Sequence, residues 1–230
     1  LKSVMDFRLG TIAADVFHEE TSWNTGLQLL FEHFAYDFCY PEINNVMRLL
    51  ENHDTDRFLL EDPENLNVYK QAVTMLLTIP GIPQLYYGQE LLMTGSTKKD
   101  FGYVRPDMPG GWNGDEISVF QESGRTAMQQ EAFNFMKKML HWRKGNAAIS
   151  KGKMKHFMPR SNVYVYELSY NGKSILVIMN GVNKEVDLDL TFYKEVIGDR
   201  TNSKNVLTDS NVPLGKKLHL QPKEVLVLEL

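Results

Sequence analysis

The feature that most constrains the fold is a change of hydrophobic pattern near Gly145. Before this point, short apolar runs alternate with segments whose apolar residues recur at helical spacing. After it, the chain consists of short strand-like runs. Alternating strands and helices predict a parallel sheet with helices, whereas consecutive short strands predict an antiparallel sheet. We therefore predict an α/β unit over residues 1–147 and an all-β domain over residues 148–230.

Three strands are predicted in the first unit, at residues 3–8, 46–50 and 82–87. One helix begins near Thr21 or Ser22, and a second covers residues 66–79 and ends at Pro80-Gly81. The strands do not alternate cleanly, which is expected when both faces of a sheet are buried. Residues 93–125 are rich in glycine and proline and predict a long loop.

A third helix is predicted over Thr126–Lys144, with Gly145 as its C-cap. Beyond it, Asn171-Gly172 is a strong hairpin signal between two apolar runs. Five short strands are predicted in this part, at residues 163–168, 174–179, 186–190, 218–220 and 224–228.

Composition excludes some classes of function. The 230 residues carry a net charge of −4 and no basic run, so no nucleic-acid partner is predicted. No stretch approaches the roughly 20 apolar residues of a membrane span, and Cys39, the single cysteine, has no partner for an internal disulfide. The chain opens without Met or a signal peptide, which we interpret as a segment of a longer protein. The cellular compartment stays open.

Four segments carry a resemblance to a known family. Residues 51–57, Glu-Asn-His-Asp-Thr-Asp-Arg, resemble the last short signature motif of the α-amylase family, which follows the seventh strand of a (β/α)8 barrel. Residues 80–90 resemble that family's eighth strand. Residues 4–7 and 105–112 are similar to the sixth strand and to the loop after strand eight in its neopullulanase and cyclomaltodextrinase branch. The resemblance implies strands six to eight of a TIM barrel followed by an antiparallel β-sandwich.

The same resemblance implies site residues and a substrate. Asp54 would stabilise the transition state, and His53 would bind a sugar hydroxyl in the cleavage subsite. Arg57 would orient Asp54 or a neighbouring carboxylate, Arg105 would bind a more distant hydroxyl, and Trp112 would stack on a sugar ring. Purely structural roles are the alternatives. Asp54 would then cap a turn or helix, His53 would be hydrogen-bonded within the protein at a strand end, and Arg57 would form a surface salt bridge. The substrate implied is an α-glucan oligosaccharide, cleaved at α-1,4 bonds with retention.

Two departures from the family pattern matter. The family's nucleophilic Asp and acid/base Glu lie on strands four and five, and neither motif occurs here, so the chain alone is expected to be inactive. It is expected to pair with the missing half of the barrel or with itself through an open strand edge. The family often has an Asp four residues before the loop arginine, whereas Asp100 lies five before Arg105, which leaves its role open.

The sequence leaves two other functions open. The chain is alternatively a non-catalytic amylase-like binding or accessory subunit, which the Asn-His-Asp cluster argues against. A free-standing sugar-binding role for the last domain ranks lower, because its strands lack an evident aromatic platform. No cofactor is predicted, and the histidines show no metal-ligand spacing. Calcium is common in the family, but usually through segments not present here.

Overall fold

The first sheet is parallel and has three strands. The computed structural model describes residues 2–59 and 66–230, and its first strands are β1 (Val4–Asp6), β2 (Val46–Leu49) and β3 (Ile82–Gln84). They lie in the order β1-β2-β3, with Met47 aligned to both Met5 and Ile82. All three predicted strands are confirmed, each shorter than expected. The outer strands β1 and β3 each have one edge that pairs with no other strand of residues 2–59 and 66–230.

Helix α1 (Phe7–His18) follows β1 directly and was not predicted. The predicted strand at residues 3–8 is wrong beyond Asp6, because the Asp6 carboxylate accepts a hydrogen bond from the Leu9 N–H at 3.1 Å and begins the helix. The helix buries residues at helical spacing, and that spacing is visible in the sequence: Leu9, Ala13, Val16 and Phe17.

Helix α2 (Gly26–Ala35) begins later than predicted. Gly26 has φ +57°, and a Cβ there would lie 2.8 Å from the Thr21 backbone, so the chain turns sharply before the helix. The Thr21 hydroxyl still accepts a hydrogen bond from the Leu27 N–H at 3.3 Å, although Thr25 occupies the N-cap position.

Helices α3 (Leu66–Thr78) and α4 (Ala127–Lys144) confirm the other two helical predictions. Thr126 and Gln129 form a capping box at the start of α4, each side chain bonding the other's backbone N–H. At the other end, Gly145 is the C-cap, as predicted, and its φ of −91° lies outside the left-handed region. A residue with a side chain fits that backbone.

A buried charged cluster joins β1, β2 and α2. The Arg48 guanidinium pairs with Asp6 and, at 2.6 Å, with Asp37. His33 Nε2 lies 2.8 Å from Asp6 Oδ2, the same carboxylate oxygen that Arg48 contacts. Burial opposes ionisation of Asp6, but the His33 hydrogen bond and the Arg48 charge hold its pKa below the usual value. Breaking a buried pair leaves an uncompensated charge, so this cluster fixes how α2 lies on the sheet.

The remainder of the described chain forms two antiparallel sheets. Their strands are β4 (Lys153–Arg160), β5 (Val163–Tyr170), β6 (Lys173–Asn180), β7 (Val186–Asp189), β8 (Asn202–Asn205), β9 (Asn211–Pro213), β10 (Lys217–Leu220) and β11 (Val225–Glu229). The larger sheet has the order β4-β5-β6-β11-β8-β9, and the smaller pairs β10 with β7. Strands β4, β8 and β9 and the short helices α5 (Ala147–Lys151) and α6 (Lys194–Ile197) were not predicted.

The larger sheet is buried on both faces. One face, with Tyr164, Tyr166 and Val177, packs into a core shared with α1, α2 and α3. The opposite face, with Val165 and Ile178, packs against the two-stranded sheet. This double burial explains why β5 and β6 are almost continuously apolar. It also joins the antiparallel domain firmly to the helices of the first unit.

The hairpin between β5 and β6 is confirmed. Asn171 and Gly172 have φ +49° and +79°, and Tyr170 pairs with Lys173 across them. Positive φ at both central residues is what a tight two-residue hairpin requires. Within residues 2–59 and 66–230, no helix is long and apolar enough to cross a membrane.

Candidate functional site

The candidate site lies beyond the carboxyl ends of β2 and β3. Strand β2 ends at Leu49 and β3 ends at Gln84, and because the two strands are parallel the segments that follow leave from one edge of the sheet. In β/α architectures this edge carries the functional side chains. The two segments are residues 50–59 and the long loop 85–126, which contains only short 3₁₀ turns, as predicted.

A polar turn presents His53 and Asp54. The Asn52 side chain is buried, and its Oδ1 atom accepts a hydrogen bond from the Asp54 N–H at 2.8 Å. Thr55 closes the turn, since its hydroxyl accepts from the Asn52 N–H at 2.9 Å. Asn and Thr side chains commonly stabilise such turns. The turn leaves the side chains of His53 and Asp54 61% and 54% exposed.

The Asp54 carboxylate is held by a guanidinium and an imidazole. The Arg105 Nη2 atom donates to Asp54 Oδ1 at 3.1 Å, and His53 Nε2 lies 3.2 Å from Asp54 Oδ2. The Arg105 Nε atom also donates to the His53 carbonyl at 2.8 Å. The structure thus brings together three of the five predicted site residues, from two loops about fifty positions apart.

A second bridge joins the two loops beside this cluster. The Asp56 carboxylate accepts hydrogen bonds from the Thr97 N–H at 2.5 Å and the Thr97 hydroxyl at 2.8 Å. Partial burial opposes ionisation, but these hydrogen bonds hold the pKa of Asp56 below its usual value. Asp56 was not predicted as a site residue. Its position two residues after Asp54 was the available signal.

Arg57 pairs with a neighbouring carboxylate, the second of its two predicted partners. Its side chain is fully buried and lies 3.1 Å from Glu51, and it does not contact Asp54. It also donates to the carbonyls of Tyr87 at 2.6 Å and Val104 at 3.1 Å. Its guanidinium carbon lies 4.0 Å from the centroid of the Tyr86 ring, a close cation–π contact. Neither a substrate contact nor a surface salt bridge fits this geometry, because a fully buried guanidinium is closed to a ligand and screened from water.

Burial also governs the partner of Arg57. It raises the pKa of Glu51, while the Phe58 N–H, which donates to Glu51 Oε2 at 2.6 Å, and the Arg57 charge act in the opposite direction. Glu51 and Arg57 therefore form an internal brace between β2 and the long loop. They support the turn that carries Asp54 from behind.

Trp112 lies in a separately stabilised part of the long loop. Its side chain is exposed, and its backbone N–H and that of Gly110 donate to Asp115 Oδ2 at 3.1 and 2.6 Å. An exposed indole is free to stack on a sugar ring, so that role of Trp112 stays a prediction. Asp100, whose role was open, accepts from the Gly102 N–H at 2.7 Å and caps a 3₁₀ turn.

The described residues offer no cluster of three or more histidine, cysteine, aspartate or glutamate side chains that could hold a metal ion. The exposed groups gathered at this site are one carboxylate, an imidazole and a guanidinium. Such a carboxylate accepts hydrogen bonds from hydroxyls and stabilises positive charge that develops nearby.

Two family models match the chain. The model described as "Alpha amylase, catalytic domain" matches residues 1–129, and the model described as "Cyclo-malto-dextrinase C-terminal domain" matches residues 154–229. The first match contains β1 to β3 and both loops of the site. The second contains nearly all of the antiparallel sheets.

Similar proteins agree with these matches. A cyclomaltodextrin glucanotransferase of Bacillus sp. (strain 6.6.3) is 31% identical over 91% of this chain, and an α-amylase of Niallia circulans is 29% identical over 77%. The chain spans 27% and 30% of their lengths. Among solved structures, the α-amylase of Geobacillus thermoleovorans complexed with acarbose matches all of this chain with a TM-score of 0.77 at 20% identity. The chain covers 48% of that structure.

Proposed function

Since the chain belongs to the α-amylase family, whose catalytic-domain model matches residues 1–129, we propose that β1, β2 and β3 are strands six, seven and eight of a (β/α)8 barrel. In this proposal residues 1–147 are the last three β/α units, and residues 148–230 are the β-sandwich domain that follows. The consecutive parallel order of the strands, with helices between them, supports this arrangement.

The proposed activity of the whole protein is cleavage of α-1,4-glucosidic bonds in starch-derived oligosaccharides or pullulan, with retention. The observation that carries it is the exposed Asp54 carboxylate, held by His53 and Arg105 at the carboxyl end of β2. There it would accept hydrogen bonds from sugar hydroxyls that strengthen as the ring distorts toward an oxocarbenium ion. His53 would donate to a sugar hydroxyl, and Trp112 would stack on a sugar ring.

Asp54 cannot carry the reaction alone. Retaining cleavage needs a nucleophilic carboxylate and a separate acid/base carboxylate about 5–5.5 Å apart. We propose that both come from strands four and five of the barrel, outside the three strands seen here. Hydrolysis and glycosyl transfer share the first step, so Asp54 fits either outcome. The cyclomaltodextrinase C-terminal match supports the proposed neopullulanase and cyclomaltodextrinase branch, while the named glucanotransferases keep transfer open.

The unpaired strand edges support a complementary half of the barrel as partner. Val4, Met5 and Phe7 are exposed at the β1 side, and Ile82 and Leu85 at the β3 side. Next to β3, an apolar groove of about 410 Å³ runs between the strand end and α4. Open strands with apolar flanks associate readily. The accessory-subunit alternative is not favoured, because simple binding gives no reason to hold an exposed carboxylate between an imidazole and a guanidinium.

The test is Asp54→Asn in the full-length enzyme. We expect kcat to fall on the order of 10²–10³-fold, as when one preorganised electrostatic contact is lost, with an unchanged melting temperature. Asp209→Asn is a matched control, since Asp209 is also an exposed carboxylate, paired with Lys138 and Lys204, but on the antiparallel domain. An unchanged kcat in Asp54→Asn would remove Asp54 from the mechanism.

A further inference from the structure

We propose that Arg105 is a positioning residue, which fixes the orientation of the Asp54 carboxylate, and is not a ligand for a distant sugar. The inference rests on the proposed function of Asp54. It differs from the expectation that Arg105 contacts a sugar one or two subsites away. Its basis is the set of contacts that Arg105 makes within the protein.

The guanidinium grips two neighbouring acceptors at once. The Nε atom donates to the His53 carbonyl at 2.8 Å, and Nη2 donates to Asp54 Oδ1 at 3.1 Å. Because the guanidinium is planar and rigid, two such bonds define the position and tilt of the whole group. His53 Nε2 lies 3.2 Å from the other carboxylate oxygen, Oδ2. Both oxygens of Asp54 are therefore directed before any ligand arrives.

Arg105 is itself held from behind. It ends the 3₁₀ turn Phe101–Val104, which Asp100 caps, and its guanidinium carbon lies 5.2 Å from the centroid of the Phe101 ring. The preceding residue, Val104, is fully buried, and its carbonyl accepts from the buried Arg57 at 3.1 Å. A continuous set of contacts thus runs from Arg57 through Val104 and Arg105 to Asp54.

The Asp54–Arg105 ion pair adds little to stability. The two side chains are 54% and 44% exposed, and exposed pairs typically contribute about 0–1 kcal/mol. Orientation is a different matter, because a small misplacement of a reacting group costs rate even where folding is untouched. The geometry therefore assigns the pair to catalysis, with Arg105 acting through Asp54.

The experiment compares Arg105→Ala and Arg105→Lys in the full-length enzyme on maltotriose and on maltoheptaose. A positioning residue lowers kcat on both substrates by a similar factor, on the order of 10- to 100-fold, with little change in KM. Arg105→Lys is expected to lose less activity than Arg105→Ala. Its ammonium group reaches Asp54 but cannot at the same time donate to the His53 carbonyl as the guanidinium does. An effect confined to KM for maltoheptaose would overturn the proposal and return Arg105 to a distant subsite.

A double-mutant cycle separates this proposal from the proposed function. If Arg105 acts through Asp54, Arg105→Ala adds no further loss in the Asp54→Asn background. If the losses of kcat in the two single variants multiply in the double variant, the proposal for Arg105 is contradicted, even if Asp54 proves essential. If Asp54→Asn alone leaves kcat unchanged, the proposed function is contradicted. Arg160→Ala is the control, since Arg160 also stacks on an aromatic ring, that of Phe192 at 4.0 Å, but on the antiparallel domain. Its kcat is expected to match that of the unmodified enzyme.

Discussion

Asp54 and Arg57 are three residues apart and lie in opposite surroundings. The turn closed by Asn52 and Thr55 leaves Asp54 exposed, and the chain then brings Arg57 back under the long loop, where its side chain is fully buried. One motif thus supplies both a group that faces a ligand and a group that holds the loop in place. Charge alone does not indicate which is which, because the two surroundings come from residues far along the chain.

The first prediction concerns that buried arginine. Arg57→Met leaves Glu51 buried without its charged partner, and removal of one member of a buried pair typically costs about 3–5 kcal/mol. We expect a loss of this size in the free energy of unfolding, measured by urea denaturation. The control is Lys155→Met, which breaks an exposed pair with Glu195 and should cost less than about 1 kcal/mol. Equal, small losses in both variants would contradict the bracing role of Arg57.

At the scale of elements, two glycines at predicted element ends differ in backbone conformation. Gly172 has φ +79° in the β5–β6 hairpin, where a side chain is strained. Gly145 follows α4 with φ −91°, and the nearest atom to a Cβ built there is the Trp142 carbonyl oxygen at 4.0 Å. Only the first of them needs glycine.

These conformations predict opposite effects of the same substitution. Gly172→Ala should destabilise the protein by about 1 kcal/mol, because the left-handed region disfavours a side chain. Gly145→Ala should be neutral or stabilise it by about 0.4–1 kcal/mol, through a less flexible unfolded chain. Thermal unfolding of both variants is the measurement. A larger loss for Gly145→Ala than for Gly172→Ala would refute the assigned conformations.

The elements that sequence analysis found are those with strong local signals. Strands β5, β6 and β11 are long apolar runs, and α4 has a capping box at its start. The missed strands β8 and β9 are short and mostly polar, and they depend on pairing in the tertiary fold, β8 with β11 and β9 with β8. Helix α1 was missed although its buried spacing is regular, because β1 runs into it without a break.

In the candidate site, too, sequence analysis identified residues with a local signal and missed contacts that depend on distant parts of the chain. The residues His53 and Asp54 were found from a local motif, and the structure places Arg105 beside them. Burial of Arg57 was not predictable locally, since it depends on contacts with Tyr86, Tyr87 and Val104, which lie about 30 to 50 positions later. Pairing partners of charged side chains are a property of the tertiary fold.

At the scale of the whole molecule, the three parallel strands have an edge on each side with no partner strand among the described residues, and apolar side chains beside those edges are exposed. The antiparallel domain is by contrast packed on both faces of its large sheet. We therefore expect a partner to bind along the outer strands β1 and β3. The antiparallel domain is expected to stabilise the chain and not to bind the partner.

The most direct measurement of the central claim is reconstitution of activity. The 230-residue chain is assayed on maltotriose and pullulan alone, and then mixed with the separately expressed part of the barrel that carries strands one to five. We predict no turnover by either part alone and turnover on mixing, because nucleophile and acid/base carboxylates join Asp54 only in the complex. Mixing with the Asp54→Asn chain should give assembly without comparable turnover. Turnover by the 230-residue chain alone would contradict the account.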